Sequence, residues 1–140
     1  SLIRSLSAIS AAPRPRSSSA SGRRRRVIPR TSSRLSRTAS RASASLPVST
    51  QADHFAVNVL AGDQVELANR FAASGIDKFA TTPWAPGTTG SPVLAGTVAT
   101  LECAREQVFE GGDHLIIIGR VLHFTRSAGE PLLFESPAPF

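Results

Sequence analysis

Three observations predict a mainly β fold, an antiparallel barrel-like sheet with one packed helix. Apolar stretches of strand length recur from residue 54 onward, separated by turns rich in Gly and Pro. One segment among them, residues 63–75, has helical rather than alternating spacing. Two long stretches meet at a pair of glycines, which reads as a hairpin and therefore as antiparallel pairing.

The 140 residues are enough for one domain, but the two ends of the chain differ in kind. Residues 1–52 hold 11 Arg, no Lys, no acidic residue and no aromatic one, with much Ser, Ala and Pro. Residues 53–140 hold all ten acidic residues, four Arg, one Lys, every Phe and the single Trp. The net charge of +6 therefore sums a basic segment and an acidic domain. A folded part of this size is near the limit at which a second subunit completes a core, so an obligate homodimer is expected. The lone Cys103 excludes an internal disulfide framework, and no stretch is apolar for long enough to span a membrane.

Residues 1–52 lack the apolar periodicity needed to offset chain entropy and are expected to be disordered. Arg-rich, Ser-rich and acid-free, they match an organellar transit peptide, and "GRRRR" at 22–26 matches a nucleic-acid contact. Against the latter, no aromatic side chain is present to stack on bases, so specific nucleic-acid binding is not the favoured reading. A third reading is a shifted frame. A TCN serine codon conceals NTC, encoding Phe, Leu, Ile or Val, and a CGN arginine codon conceals NCG, encoding Ser, Pro, Thr or Ala. "RPRSSSASGRRRR", residues 14–26, would then hide an apolar strand flanked by Pro and Ala. A chain without Met that starts with Ser reads as a processed product, a fragment or a mistranslated piece.

From Asp53 the elements follow in order. Phe55, Val57 and Val59 alternate with His54, Ala56 and Asn58, as in a strand. Asp63 and Glu66 have capping-box spacing, Val65, Ala68, Phe71 and Ala72 share a helical face, and Gly75 is placed to end the helix. "TTPWAPGTTGSPV", residues 81–93, reads as a surface loop in which Trp84 closes over a core edge. "GTVATLECAREQVF" is a strand with Ala99, Leu101 and Cys103 on one face, making Cys103 a small buried hydrophobe. Gly111 and Gly112 form a tight turn, and the strand to Arg126 returns through four consecutive apolar residues, so it is central. Gly119 within it marks a bulge or a close backbone approach, and "LLFE" supplies a last short strand.

The chemistry this permits is narrow. His54, His114 and His123 lie far apart without ligand spacing, so no metal site is expected. No nucleophile elbow, P-loop or dinucleotide-binding glycine pattern occurs. What remains is "GGDH" where a strand begins. On composition alone, Asp113 caps the turn and His114 is a half-exposed hairpin residue.

"HFAVNVLAGDQVELANRFA", "DKFA", "SPVLAGTVATLEC", "GGDHLIIIGRV" and "GEPLLF", in this order over residues 53–134, resemble the second half of the flavin reductase-like family, the FMN-binding split barrels. The G-D-H-x-x-x-x-G stretch is the most specific part. The resemblance implies an antiparallel split β-barrel with one packed helix, incomplete on its N-terminal side. It implies a cytoplasmic homodimer that passes hydride from NADH or NADPH to FMN or FAD and delivers reduced flavin to a partner monooxygenase. Gly112, Asp113 and His114 fall on the motif associated with the nicotinamide, with His114 as the catalytic candidate. Ala61, Gly62 and Gln64, at a helix start, and Phe79 are the implied flavin-side residues. The family's first half, which supplies barrel strands and most flavin contacts, is replaced here by the Ser/Arg-rich segment. The other readings are a non-catalytic flavin-binding or dimerisation module or inactive fragment of the same fold, and a basic-tailed nucleic-acid binder.

Overall fold

The computed structural model describes residues 3–5, 7–10, 33–41 and 50–135. Its strands are β1 (Ile3–Ser5), β2 (Ser7–Ser10), β3 (Arg34–Ser40), β4 (His54–Val59), β5 (Trp84–Pro86), β6 (Pro92–Leu94), β7 (Ala99–Gly111), β8 (His114–Arg126) and β9 (Leu133–Glu135), with helix α1 at Val65–Ala72. Five strands form an antiparallel half-barrel in the order β2-β4-β7-β8-β3, and β1 with β9 and β5 with β6 make two short ribbons.

The hairpin of β7 and β8 organises the sheet. On its inner face, Phe55 and Val57 of β4 lie opposite Cys103 and Leu101 of β7, and Ile117, Val121, Ala39 and Leu35 complete the core. Phe55 is almost wholly buried, worth about 2–3 kcal/mol for a side chain of its size. Its ring occupies the space that a side chain at position 119 would need. A Cβ on Gly119 would fall within 2.8 Å of Phe55 Cε1 and 3.0 Å of the Cys103 Cβ. Gly119 is thus the close backbone approach that its place in a strand predicted.

The other face of β4 and β7 is buried as well, and it is polar. Asn58, Thr100 and Glu102 lie there beneath residues 87–97. Asn58 Nδ2 donates to the Pro92 carbonyl at 3.2 Å, and its Oδ1 accepts from the Leu94 amide at 3.0 Å. The Glu102 carboxylate accepts from both the Thr89 amide and hydroxyl at 2.9 Å. Residues 81–93, expected to be a surface loop, therefore contain the β5–β6 ribbon and bury Ser91 and Pro92. The cause is the buried polar row beneath, whose groups need partners once water is excluded.

Helix α1 starts one residue later than a cap at Asp63 would place it. Gln64 is the N-cap and makes no side-chain cap bond, so the capping box of Asp63 with Glu66 does not form. At the other end Ala73 is extended, and Gly75 takes its positive φ of 75° in the turn beyond. The inward face is Leu67, Ala68 and Phe71, packed on Leu60 and Leu94, while Val65 and Ala72 are exposed. Leu67 and Phe71, four residues apart, offer the larger apolar pair and take the buried face. Phe71, Phe79 and Trp84 stack edge to face at 5.5 and 5.7 Å, which places Trp84 over the core edge as expected.

The largest departure is in the basic segment. Expected to be disordered, it supplies β1, β2 and β3, and β2 and β3 are the two edges of the sheet. Edge pairing is made by backbone N–H and C=O groups, which a Ser- and Arg-rich strand carries as well as an apolar one. Only the inner positions of β3 are selective: Leu35 and Ala39 meet the core, with Arg37 between them. "GRRRR" and the 14–26 stretch lie outside the described residues. The Phe55 contact sets the first expected outcome: Gly119→Ala should lower stability by about 1–3 kcal/mol, read as an earlier midpoint in urea unfolding.

Candidate functional site

The β7–β8 ladder closes at Gly111 opposite His114, leaving Gly112 and Asp113 as a two-residue turn. Gly112 has φ of 69° and Asp113 does not share a positive φ, the pattern of a type II′ turn with glycine first. Below the turn the register shifts between Arg105 and Gln107, so Glu106 is an extra residue on β7. Such a bulge bends and twists its strand. Glu106 is held there by Arg34 of β3 at 2.8 Å and Arg120 of β8 at 3.3 Å, and the hydrogen bond from Arg34 keeps its carboxyl below the usual range.

At the tip, His114 Nδ1 bonds to the Asp113 carboxylate at 2.7 Å. The ring's other nitrogen, Nε2, takes no part in this bond, and 45% of the side-chain surface stays exposed. The His114 ring in turn holds the Asp113 carboxyl below its ordinary range. From outside the hairpin, β3 ends with Ser40 opposite His114, and Arg41 follows it. The Arg41 amide donates to the Asp113 carbonyl and Arg41 Nε to the Gly112 carbonyl, both at 2.9 Å, while Nη2 pairs with Glu110 at 3.1 Å.

The second group of candidates lies elsewhere. Ala61 to Gln64 follow β4, whose last pair is Val59 with Ala99 at the base of the hairpin. Gly111 is at the opposite end of β7, roughly 40 Å of strand path away. The 61–64 turn is tightly self-bonded. Gln64 Oε1 accepts from the Ala61 amide at 2.9 Å, Gln64 Nε2 donates to Ala95 at 2.8 Å, the Gly62 amide donates to Glu130 at 3.0 Å, and the Gln64 amide donates to Ala61 at 2.9 Å. An anion at this helix start would meet the amides beyond Gln64. Phe79 belongs to the apolar cluster of Leu60 and Leu94, its ring between Phe71 and Trp84. One chain thus brings Gly112, Asp113 and His114 together, and Ala61, Gly62 and Gln64 together, at opposite ends of one ladder.

The Flavin reductase like domain pattern matches residues 33–137. This chain belongs to the flavin reductase-like domain family. The match begins at residue 33, ahead of the boundary drawn at 53, and takes in β3. Among curated relatives, the FMN reductase (NADH) SmoA of Agrobacterium fabrum is 40% identical over 92 residues, covering 66% of this chain and 52% of that protein. The NADH-dependent FAD reductase of Streptomyces globisporus is 45% identical over 87 residues, covering 58% of this chain and 48% of that protein. The chain spans about half or less of the length of the curated relatives it matches. In structure, the Streptomyces globisporus NADH:FAD oxidoreductase SgcE6, in complex with NAD and FAD fragments, superposes with a TM-score of 0.78 at 31% identity, over 95% of this chain and 81% of that one. The flavin reductase PheA2 shares the fold with a TM-score of 0.75 at 22% identity.

Within this flavin reductase-like domain the remaining candidate chemistry is structural. Cys103 is fully buried, and burial pushes its thiol up to about 11, so it is no nucleophile at neutral pH. Among the described residues, no group of three or more His, Cys, Asp and Glu side chains could hold a metal, and no helix is long and apolar enough to cross a membrane. Sequence reasoning missed Arg41, whose partner Gly112 lies 71 residues away, and the Glu102–Thr89 tether, which joins β7 to a turn 13 residues earlier. No local pattern around either residue announces it.

The pairing at the tip has a measurable consequence. A carboxyl held down in the folded state contributes stability above its unfolded pKa and loses it as pH falls through the folded value. Asp113 should therefore titrate below the ordinary aspartate range, about pH 4, in carbon-detected NMR. His114→Ala should return it upward, and an unmoved Asp113 would show that the imidazole does not act on it.

Proposed function

We propose that this chain is a flavin reductase domain that delivers hydride from NADH to FMN or FAD, with reduced flavin passing to a flavin-dependent monooxygenase. The observation that carries the reading is the Gly112–Asp113–His114 turn, a half-exposed imidazole held at Nδ1 by the adjacent carboxylate on a two-residue hairpin tip. Its support is the activities for which the relatives are named: FMN reductase with NADH, NADH-dependent FAD reductase, and the monooxygenase reductase subunit HsaB of Rhodococcus jostii, 43% identical over 81 residues. NADPH remains the alternative donor, since no described residue marks a ribose-binding acid or base.

When bound, the nicotinamide and flavin would supply the hydride chemistry. The protein has to hold them in contact, and no general base is required. His114 offers a flat face and Nε2 to the nicotinamide, and Asp113 fixes the ring through Nδ1. Gly112 lets the turn close without a side chain: a Cβ there meets nothing within 4 Å, but its φ of 69° disfavours one. Ala61, Gly62 and Gln64 are assigned to the flavin side as a rigid turn, with Phe79 supporting it from the apolar cluster.

Homodimerisation is part of the proposal. Beyond Ala104, β7 has no β4 partner, and residues 106–113 are exposed, including Val108 and Phe109. A second copy would cover this outer ribbon and bring the tip of one hairpin to the base region of another, joining the two separated groups. The cytoplasm, where reduced nicotinamide is regenerated, is the compartment this chemistry fits. A non-catalytic module of the same fold is the second reading, favoured by the internally satisfied amides of the 61–64 turn. Of the basic segment's arginines, Arg34 is paired to Glu106 and Arg41 to Glu110.

Purified protein mixed with NADH should consume its absorbance only when FMN or FAD is added. A folded, flavin-binding sample without consumption would establish the non-catalytic module instead. His114→Ala should raise KM for NADH roughly tenfold while leaving flavin affinity in place, whereas equal losses of both would mark His114 as structural.

A further inference from the structure

Beyond Arg105, whose amide and Nε reach the Asp53 and Ala52 carbonyls, the outer part of β7 is bordered among the described residues only by β8, and residues 106–113 are exposed. The tip is instead tied to the sheet through β3, whose ladder reaches Ser40 opposite His114. The next residue, Arg41, binds the turn at three points. Its amide takes the Asp113 carbonyl, its Nε takes the Gly112 carbonyl, and its Nη2 takes the Glu110 carboxylate.

We infer that Arg41 is a positioning residue that fixes the Gly112–Asp113–His114 turn from its outer side, a reading that rests on the function proposed above. Asp113 orients the imidazole from within the turn, and Arg41 fixes the peptide groups on both sides of the Asp113 Cα. An exposed ion pair alone is worth little, because water screens it and two long side chains must be ordered. Arg41 differs in that only one of its three contacts is an ion pair. The other two go to consecutive backbone carbonyls, and one of those uses its own amide, already placed by the β3 ladder. A guanidinium can supply Nε and Nη2 to two acceptors from one rigid fork, which a lysine ammonium on a flexible stem cannot match. A freed turn would leave the His114–Asp113 pair intact and its direction undefined, so nicotinamide binding should suffer and flavin binding should not.

The test uses the whole chain loaded with FMN, as wild type, Arg41→Ala and Arg41→Lys, each first shown to be folded by circular dichroism. Calorimetric titration with NAD+ should show Kd raised roughly tenfold in the Ala variant, and steady-state assays should show the same rise in KM for NADH. The kcat should stay within about twofold and FMN affinity should be unchanged. The Lys variant should fall between the two, and amide exchange at Asp113 and His114 should quicken in the Ala variant. Unaltered NAD+ and NADH constants in Arg41→Ala beside an active wild type would overturn this inference alone, as would a parallel loss of kcat, KM and FMN affinity. A wild-type chain without flavin-dependent NADH oxidation would overturn the proposed function, and this inference with it.

Discussion

The backbone ladder between β7 and β8 is the constraint on which the rest of the structure depends. It carries β4 on one edge through Cys103 and Leu101, β3 on the other through Ile116 to Ile118, and the candidate site at its closed end. Its geometry is set by two small features: Gly119, which admits the Phe55 ring, and the extra residue Glu106 directly opposite that region. Inside the bulge the hairpin is a packed sheet. Outside it the β7 side of the hairpin is exposed while β8 stays flanked by β3 as far as His114, and that end bears the imidazole. Rigidity for the core and accessibility for the tip thus come from one continuous element.

Polar contacts do much of the fastening in this domain, consistent with its small apolar core. Asn58 bridges β4 to Pro92 and Leu94, Glu102 holds Thr89, Gln64 joins the turn before α1 to Ala95, and Arg41 binds the hairpin tip. Each joins segments that no hydrophobic contact would align so specifically. A buried amide or carboxylate without its partner costs more than the bond itself provides, so these groups penalise alternative arrangements of the loops.

Most of the domain was legible in the sequence where side-chain pattern decides structure. The alternation at Phe55 to Val59, the apolar run at Leu115 to Ile118 and the two glycines before Asp113 are local signals; the strands formed as read, while the tight turn falls one residue later than read, on Gly112 and Asp113, because Gly111 still pairs with His114. The tip pairing of Asp113 with His114 joins adjacent residues and needs no long-range contact. β3 was hidden because edge pairing asks little of side chains, and its inner row of Leu35, Arg37 and Ala39 is interrupted by a charge. The β5–β6 ribbon was hidden because its Pro, Gly and Thr are turn residues by propensity, overridden by the polar row beneath it. The helix start was misplaced for a similar reason: Gln64 serves a distant carbonyl, a use that capping rules do not describe.

The attachment of β3 to β8 also orders events in time. β3 is synthesised well before the strand it will flank, and Arg41 is separated from Gly112 by 71 residues. It cannot dock until the β7–β8 hairpin exists, and closing a loop of that length carries an entropic cost before any contact is gained. Loop-closure entropy favours the local hairpin over the distant edge strand. The Asp113–His114 pair thus depends only on the local turn, whereas the contacts of Arg41 depend on closing the longer loop.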